Sequence, residues 1–129
     1  MFLVLGGSIF ANLNQYYGIW RNVDPNGGIT RIDIAKQGNK LVVHVWGKCH
    51  PKDCDWGKQI AYPYSASVGS SMTGNTQAVT AVYNTDFSQT ILVIRLRGKR
   101  LTVVVFTRFT DGSGRNNYTK THSFTKRRK

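Results

Sequence analysis

The sequence contains no glutamate, and its six acidic side chains are all aspartates. Catalysis by paired carboxylates would therefore depend on aspartate alone. No apolar run reaches the roughly 20 residues that a membrane-spanning helix requires, and no window repeats apolar residues at helical spacing behind a capping residue. Two cysteines are too few for a disulfide-based scaffold. These absences argue against a helical, a membrane-spanning and a cysteine-rich fold.

The abundant residues favour a β-sheet. Val, Ile, Thr, Tyr, Phe and Gly dominate the sequence, and β-branched and aromatic side chains suit the pleated, half-buried surface of a sheet. The 129 residues fit one domain, and a chain of this size buries roughly two-thirds of its unfolded surface. The protein therefore needs neither a metal ion nor a disulfide to have a core.

Eight segments with strand character follow one another, each closed by turn residues. The alternation is clearest where Thr30, Ile32 and Ile34 share one face of a strand. The predicted strands are residues 18–23, 29–36, 41–46, 58–67, 76–84, 88–97, 100–110 and 118–125. Short turns without crossover helices predict an antiparallel meander.

The predicted fold is an all-β, up-and-down barrel of about eight antiparallel strands, similar to avidin and lipocalin barrels. Closing the meander removes the exposed edges that invite aggregation, and a barrel of this size has room for side chains and one small ligand. A two-sheet sandwich is the competing architecture. We assign residues 16–125 to the barrel, 1–15 to an apolar N-terminal segment (tail, strand or signal remnant) and 126–129 to a basic tail.

Two motifs resemble known β-domains. Residues Gly18–Asn22 (GIWRN) resemble the Gly-x-Trp opening of avidin-like and lipocalin-like barrels, in which the Trp packs across one end. Residues 46–57 (WGKCHPKDCDWG), with VDPN at 23–26 and TRFTDGSG at 107–114, resemble a small bacterial β-domain family that is uncharacterised. This second resemblance covers most of residues 16–125 and implies a barrel shape but no activity.

Residues 46–57 also concentrate the unusual side chains. Cys49 and Cys54 are separated by four residues, close enough for a disulfide across a turn, which would indicate an oxidising compartment. Two free thiols remain an alternative. A metal site is the other, with the ligands His44, Cys49, His50 and Cys54, although one C-x4-C pair falls short of the two pairs typical of zinc sites. We favour the disulfide.

The charge balance favours an anionic partner. Eighteen Lys and Arg against six Asp give a formal charge of +12, which suits nucleic acid, acidic polysaccharide or an anionic membrane surface. The candidate residues for a ligand or polyanion are Arg95, Arg97, Arg108, Lys120, Trp20, Tyr62 and Tyr64. If consecutive strands pair, we expect the four basic residues of this set to form one basic wall.

The sequence therefore predicts a non-catalytic binding module without a cofactor, secreted or extracytoplasmic, that engages a small ligand or a polyanion through the barrel mouth or a basic face. A structural protein, which adds the apolar residues 2–10 as a strand to a neighbouring subunit of a homo-oligomer, is one alternative. A thiol- or metal-dependent enzyme centred on Cys49 and Cys54 is the other.

Overall fold

The computed structural model of the protein describes residues 12–69 and 74–127. A 3-10 helix, Leu13–Tyr16, precedes eight strands: β1 (Gly18–Asn22), β2 (Ile29–Gln37), β3 (Lys40–Gly47), β4 (Cys54–Ser65), β5 (Thr76–Asn84), β6 (Ser88–Arg97), β7 (Arg100–Phe109) and β8 (Tyr118–Lys126). The proposed subunit contact through residues 2–10 lies outside the described residues, as do residues 128–129 of the basic tail. None of the helices in the described ranges is long and apolar enough to cross a membrane.

The eight strands form one closed barrel in sequence order. Each strand pairs antiparallel with the next, and β8 returns to pair with β1. The predicted up-and-down barrel is confirmed, and the two-sheet sandwich is wrong. Closure pairs every strand on both sides, so no strand edge is left open along the sheet.

Strand positions agree with the sequence pattern everywhere except in β4, which begins at Cys54 instead of residue 58. The cause is a β-bulge. Trp46 of β3 lies opposite Asp55 and Val45 lies opposite Gly57, so Trp56 is an extra residue in the ladder. An extra residue breaks the two-residue alternation by which a strand is recognised in a sequence.

A second bulge corrects the face assigned to Thr30. The register between β2 and β3 shifts between Ile29 and Arg31, and Ile29 is buried whereas Thr30 is only half-buried. The Thr30 hydroxyl instead lies 2.6 Å from Asp53 Oδ2, outside the core. Thr30 therefore does not share the buried face of Ile32 and Ile34, because the bulge places Ile29 there.

The two ends of the barrel differ. One end, here called the closed end, carries the 3-10 helix and the turns that follow β2 and β6. Trp20 and Tyr16 are fully buried there; the Trp20 indole donates to Tyr16 O (2.9 Å), and Leu96 N donates to the Tyr16 hydroxyl (3.2 Å). These bonds fix two large rings across the opening.

The interior beyond these rings is a packed apolar core. Its fully buried side chains, from strands around the whole barrel, are Ile32, Ile34, Val43, Val45, Val79, Leu92, Ile94, Leu101, Val103 and Phe124. Burying one such side chain contributes roughly 1.5–3 kcal/mol. The apolar packing ends before the opposite end of the barrel, here called the mouth, which is formed by the loops at residues 23–28, 48–53, 85–87 and 110–117.

Candidate functional site

A cavity of about 690 Å³ opens at the mouth. Its walls are residues at the mouth ends of β4, β5, β6, β7 and β8, together with Gly28 and Ile29 and residues of the turn between β5 and β6. Its polar lining comprises Asp55, Gln59, Tyr83, Asn84, Thr85, Ser88, Thr90, Thr107, Tyr118, Lys120 and His122, and its apolar lining includes Ile29, Trp56, Phe87, Val105 and Phe109. The volume lies within the range of roughly 300–1,000 Å³ typical of small-molecule sites.

Asn22 fixes the tautomer of His122 in this cavity. The Asn22 carboxamide oxygen accepts the backbone N–H of Asp24 (2.9 Å), so its nitrogen is the donor to Ile29 O (2.8 Å) and to His122 Nδ1 (3.1 Å). Burial, reinforced by the positive charge of Lys120 and opposed by Asp24, lowers the pKa of His122. The imidazole is therefore neutral near pH 7, and its proton is on Nε2 as a donor.

Hydroxyl groups line the β6 and β7 side of the cavity. Thr90 and Thr107 lie opposite one another, with their hydroxyl oxygens 3.3 Å apart. Ser88 Oγ lies 3.0 Å from Thr85 Oγ1, which also accepts the backbone N–H of Ser88 (3.0 Å). Because a hydroxyl both donates and accepts, these side chains satisfy one another and retain capacity for a ligand.

Aromatic rings and one guanidinium form the β7–β8 rim of the mouth. The Phe109 and Tyr118 rings lie 6.3 Å apart, and the Arg115 guanidinium lies 4.1 Å from the Phe109 ring centroid and 5.6 Å from that of Phe87. Asp111 accepts a hydrogen bond from Arg115 (3.0 Å) and holds it in place. The rim thus offers flat apolar surfaces beside a largely neutralised cation.

The bulge in β4 turns Trp56 toward the opposite side of the cavity. Its ring meets Tyr83 edge-on, with centroids 5.6 Å apart, and the Tyr83 hydroxyl donates to Gly57 O (2.8 Å). Burial, and then the negative charge of Asp55, raise the pKa of Tyr83, so that its hydroxyl keeps its proton. Gly57 has φ +85°, a conformation that glycine adopts without strain.

Asp55 is the one carboxylate among the cavity residues, and it is already engaged. Its Oδ1 accepts the backbone N–H of Gly57 (2.8 Å) and lies 2.6 Å from His44 Nε2. These hydrogen bonds, that from His44 first, lower the pKa of Asp55. The carboxylate therefore stays charged and partnered near neutral pH.

Cys49 and Cys54 form a disulfide, with Cα atoms 5.4 Å apart, so the predicted bridge is confirmed. Both sulfur atoms are bonded, and no cluster of metal-ligating side chains occurs within residues 12–69 and 74–127. His44 instead stacks on Trp46, with ring centroids 3.8 Å apart, and His50 is exposed in the loop. The ligand set His44, Cys49, His50 and Cys54 is therefore not assembled, and the bonded sulfurs offer no thiolate nucleophile.

The four predicted basic site residues do not form one wall, although their strands pair as expected. Arg95 and Arg97 are exposed near the closed end of β6. Arg108 lies opposite Gln89 at the other end of the same hairpin, six residues along β6 from Arg95, or about 20 Å. Lys120 lies opposite Val105 and lines the cavity. The hairpin register separates Arg108 from Arg95 and Arg97, and the inward position of Lys120 separates it from all three.

The predicted aromatic site residues are also separated. Trp20 is buried at the closed end and cannot stack on a ligand. Tyr62 and Tyr64 are exposed on the outer face of β4, away from the cavity. Of the seven predicted ligand-site residues, only Lys120 lines the mouth cavity.

The cavity residues that sequence reasoning missed have a recognisable signal. Ser88 and Thr90 continue the inward alternation of Leu92 and Ile94, and Thr107 continues that of Val103 and Val105 on β7. A change from apolar to hydroxyl residues at inward positions indicates the depth at which the packed core ends. Trp56 gave no such signal, because the bulge decides its direction.

No protein-family model, curated protein or solved structure matches this chain.

Proposed function

We propose that the protein is a non-catalytic binding protein that holds a small organic ligand in the barrel mouth. The observation that carries the proposal is the change inside one barrel from a packed apolar core to an open cavity of about 690 Å³ with polar walls. A rigid barrel with a partly open interior presents such walls in a fixed arrangement, which lowers the entropic cost of binding.

The donors in the cavity favour a ligand rich in hydrogen-bond acceptors. His122 Nε2 has no partner in the described part of the chain, and Lys120 forms no ion pair there. Tyr83 can only accept, because its proton is used by Gly57 O. Together with Phe109 and Trp56, these groups suit a flat apolar body that carries a carboxylate or carbonyl group.

Binding is favoured over catalysis because the cavity carboxylate and the two sulfur atoms are already engaged. Asp55 accepts two hydrogen bonds, and the sulfur atoms of Cys49 and Cys54 are joined. We also place the protein in an extracytoplasmic, oxidising compartment, since disulfides form and persist there. Mass spectrometry of the natively isolated protein before and after reduction tests this placement. Identical masses would mean that the two cysteines are not bonded, which would contradict it.

Naphthoate, an aromatic carboxylate, is a suitable probe for calorimetric titration. The Thr90→Leu/Thr107→Leu variant fills the cavity wall, and we expect it to weaken naphthoate binding about tenfold or more, equivalent to 1.4 kcal/mol. Thr119→Leu/Thr121→Leu, on the outer face of β8, is the matched control and should bind as the parent does. Failure of the parent to bind naphthoate at millimolar concentration, or equal binding by the filled variant, would refute the proposal.

A further inference from the structure

A row of arginines crosses the outer face of the barrel at right angles to the strands. Arg97 of β6 lies opposite Arg100 of β7, Arg100 lies opposite Thr125 of β8, and Thr125 lies opposite Arg21 of β1. We call these four residues the arginine row. The adjoining residues Leu96, Leu101, Phe124 and Trp20 belong to the interior, so the row faces outward. Three inter-strand steps make it about 14 Å long.

The arginine row is not neutralised within the protein. Like charges directly opposite on neighbouring strands are destabilising, yet Arg97 lies opposite Arg100 and Arg21 lies opposite Arg31. Arg31 is bound by both oxygens of Asp33 at 2.7 Å. By contrast, none of the three arginines of the row forms an ion pair with a residue in the described ranges.

The surroundings of the row are basic and rich in hydroxyl groups. Arg95 precedes it on the same face of β6, and Thr102, Thr121 and Ser123 occupy outward positions of β7 and β8. Beside the row, a depression of about 680 Å³ is lined by Lys99, Lys126 and Arg127, among others. The outward positions of β6, β7, β8 and β1, all fully described strands, carry no carboxylate.

The acidic residues lie elsewhere. Asp33 is paired with Arg31 on β2, and the other five of the six aspartates belong to the loops or strand ends at the mouth: Asp24, Asp53, Asp55, Asp86 and Asp111. The mouth, where Lys48, Lys52 and Lys120 also lie, therefore carries charges of both signs, whereas the outward face of β6, β7, β8 and β1 carries positive charge alone. A one-signed surface of this kind attracts a multivalent anion from a distance.

We propose that the arginine row binds an acidic polysaccharide. The planar guanidinium fork binds sulfate and carboxylate groups bidentately, and the hydroxyl groups of β7 and β8 suit the hydroxyls of a sugar chain. The extracytoplasmic location proposed above on the basis of the Cys49–Cys54 disulfide would bring the protein to where such polymers are exposed. The outward positions of β8 carry no aromatic ring on which an unpaired base could stack, which disfavours single-stranded nucleic acid.

This surface is distinct from the mouth cavity, since none of its four residues lines that cavity. Polysaccharide binding at the row therefore does not depend on a ligand in the mouth. If either ligand binding in the mouth or polysaccharide binding at the row is absent, the other can still be tested.

The experiment titrates a heparin oligosaccharide into the full chain at several salt concentrations. Arg21→Thr/Arg100→Thr removes two charges with a residue that suits strands, and we expect it to weaken heparin binding about tenfold or more and to reduce the salt dependence. Lys48→Thr/Lys52→Thr, in the loop at the mouth, removes the same charge and should bind heparin nearly as the parent does. Circular dichroism verifies that both variants are folded.

Three outcomes would overturn the inference. The first is equal weakening in both double variants, which would mean that heparin responds to net charge alone. The second is no measurable heparin binding by the parent protein at low salt. The third is tighter binding of a duplex DNA of matched length than of heparin at the same salt, which would identify the partner as nucleic acid.

Discussion

At the scale of single residues, the hydrogen bond between Asn22 and His122 makes the stability of the protein depend on pH. His122 Nδ1 accepts the Asn22 carboxamide N–H only while the ring is neutral. Burial, and then Lys120, lower the pKa of His122, with Asp24 acting in the opposite direction. In the unfolded chain the same ring takes up a proton near its usual pKa of about 6.5. Just below that pH, the unfolded state therefore binds more protons than the folded state.

It follows that the free energy of unfolding decreases as the pH falls through and below about 6.5, until the folded protein is protonated as well. We predict that His122→Gln makes this decrease shallower in urea unfolding between about pH 7 and pH 5.5. His50→Gln, at an exposed loop position, is the control. The lowered pKa values of Asp55 and Asp111 act at more acidic pH. The same slope in the parent and His122→Gln would contradict the prediction.

At the scale of elements, the bulge between β3 and β4 depends on a close contact. A Cβ atom added to Gly47 would lie 2.5 Å from Trp56 Nε1 and 2.9 Å from Trp56 Cε2. Since Trp56 is packed against the core and Tyr83, the ring cannot move away without loss of contacts. The absence of a side chain at Gly47 thus allows Trp56 to cover this side of the cavity.

We predict that Gly47→Ala lowers the free energy of unfolding by about 1–3 kcal/mol, a cost typical of overpacking. Urea unfolding measures it. Gly69→Ala is the matched control, because a Cβ atom at Gly69 meets nothing within 4 Å. If the two variants were equally stable, the contact with Trp56 would not constrain the hairpin.

The same elements determine what the sequence could and could not predict. The strands β6 and β7 keep a two-residue alternation from end to end, and their predicted bounds agree with the structure almost residue by residue. The start of β4 and the face of Thr30 were missed, because a bulge depends on pairing with a neighbouring strand. The group of residues at the cavity was not predicted, because residues far apart in sequence, such as Asn22 and His122, meet only when the barrel closes.

At the scale of the whole molecule, the barrel closes through a short seam. The register of β1 with β8 contains three residue pairs, whereas that of β6 with β7 contains ten. Two further backbone bonds extend the seam, from Val23 N to Ser123 O and from Arg127 N to Ile19 O. Fewer hydrogen bonds have to break to open the sheet here than at the β6–β7 hairpin.

We predict that amides of the β1–β8 seam exchange with solvent faster than those of the β6–β7 hairpin, because local opening needs less free energy where the ladder is short. Native-state hydrogen exchange followed by NMR tests this order, with the amides of Val23 and Arg127 compared with those of Val93 and Val104, which lie opposite one another in the hairpin. Equal protection of both sets would show that the barrel opens only as a unit.

The closed end carries cations without aspartates, whereas the mouth carries charges of both signs, so the molecule has an electric moment along its barrel. Near an extended anionic matrix, such a moment turns the protein before contact is made. The arginine row would then face the matrix, and the mouth, where aspartates offset the cations, would face the medium. Immobilisation and capture would then operate together: a tethered barrel would present its open end to whatever solute diffuses past.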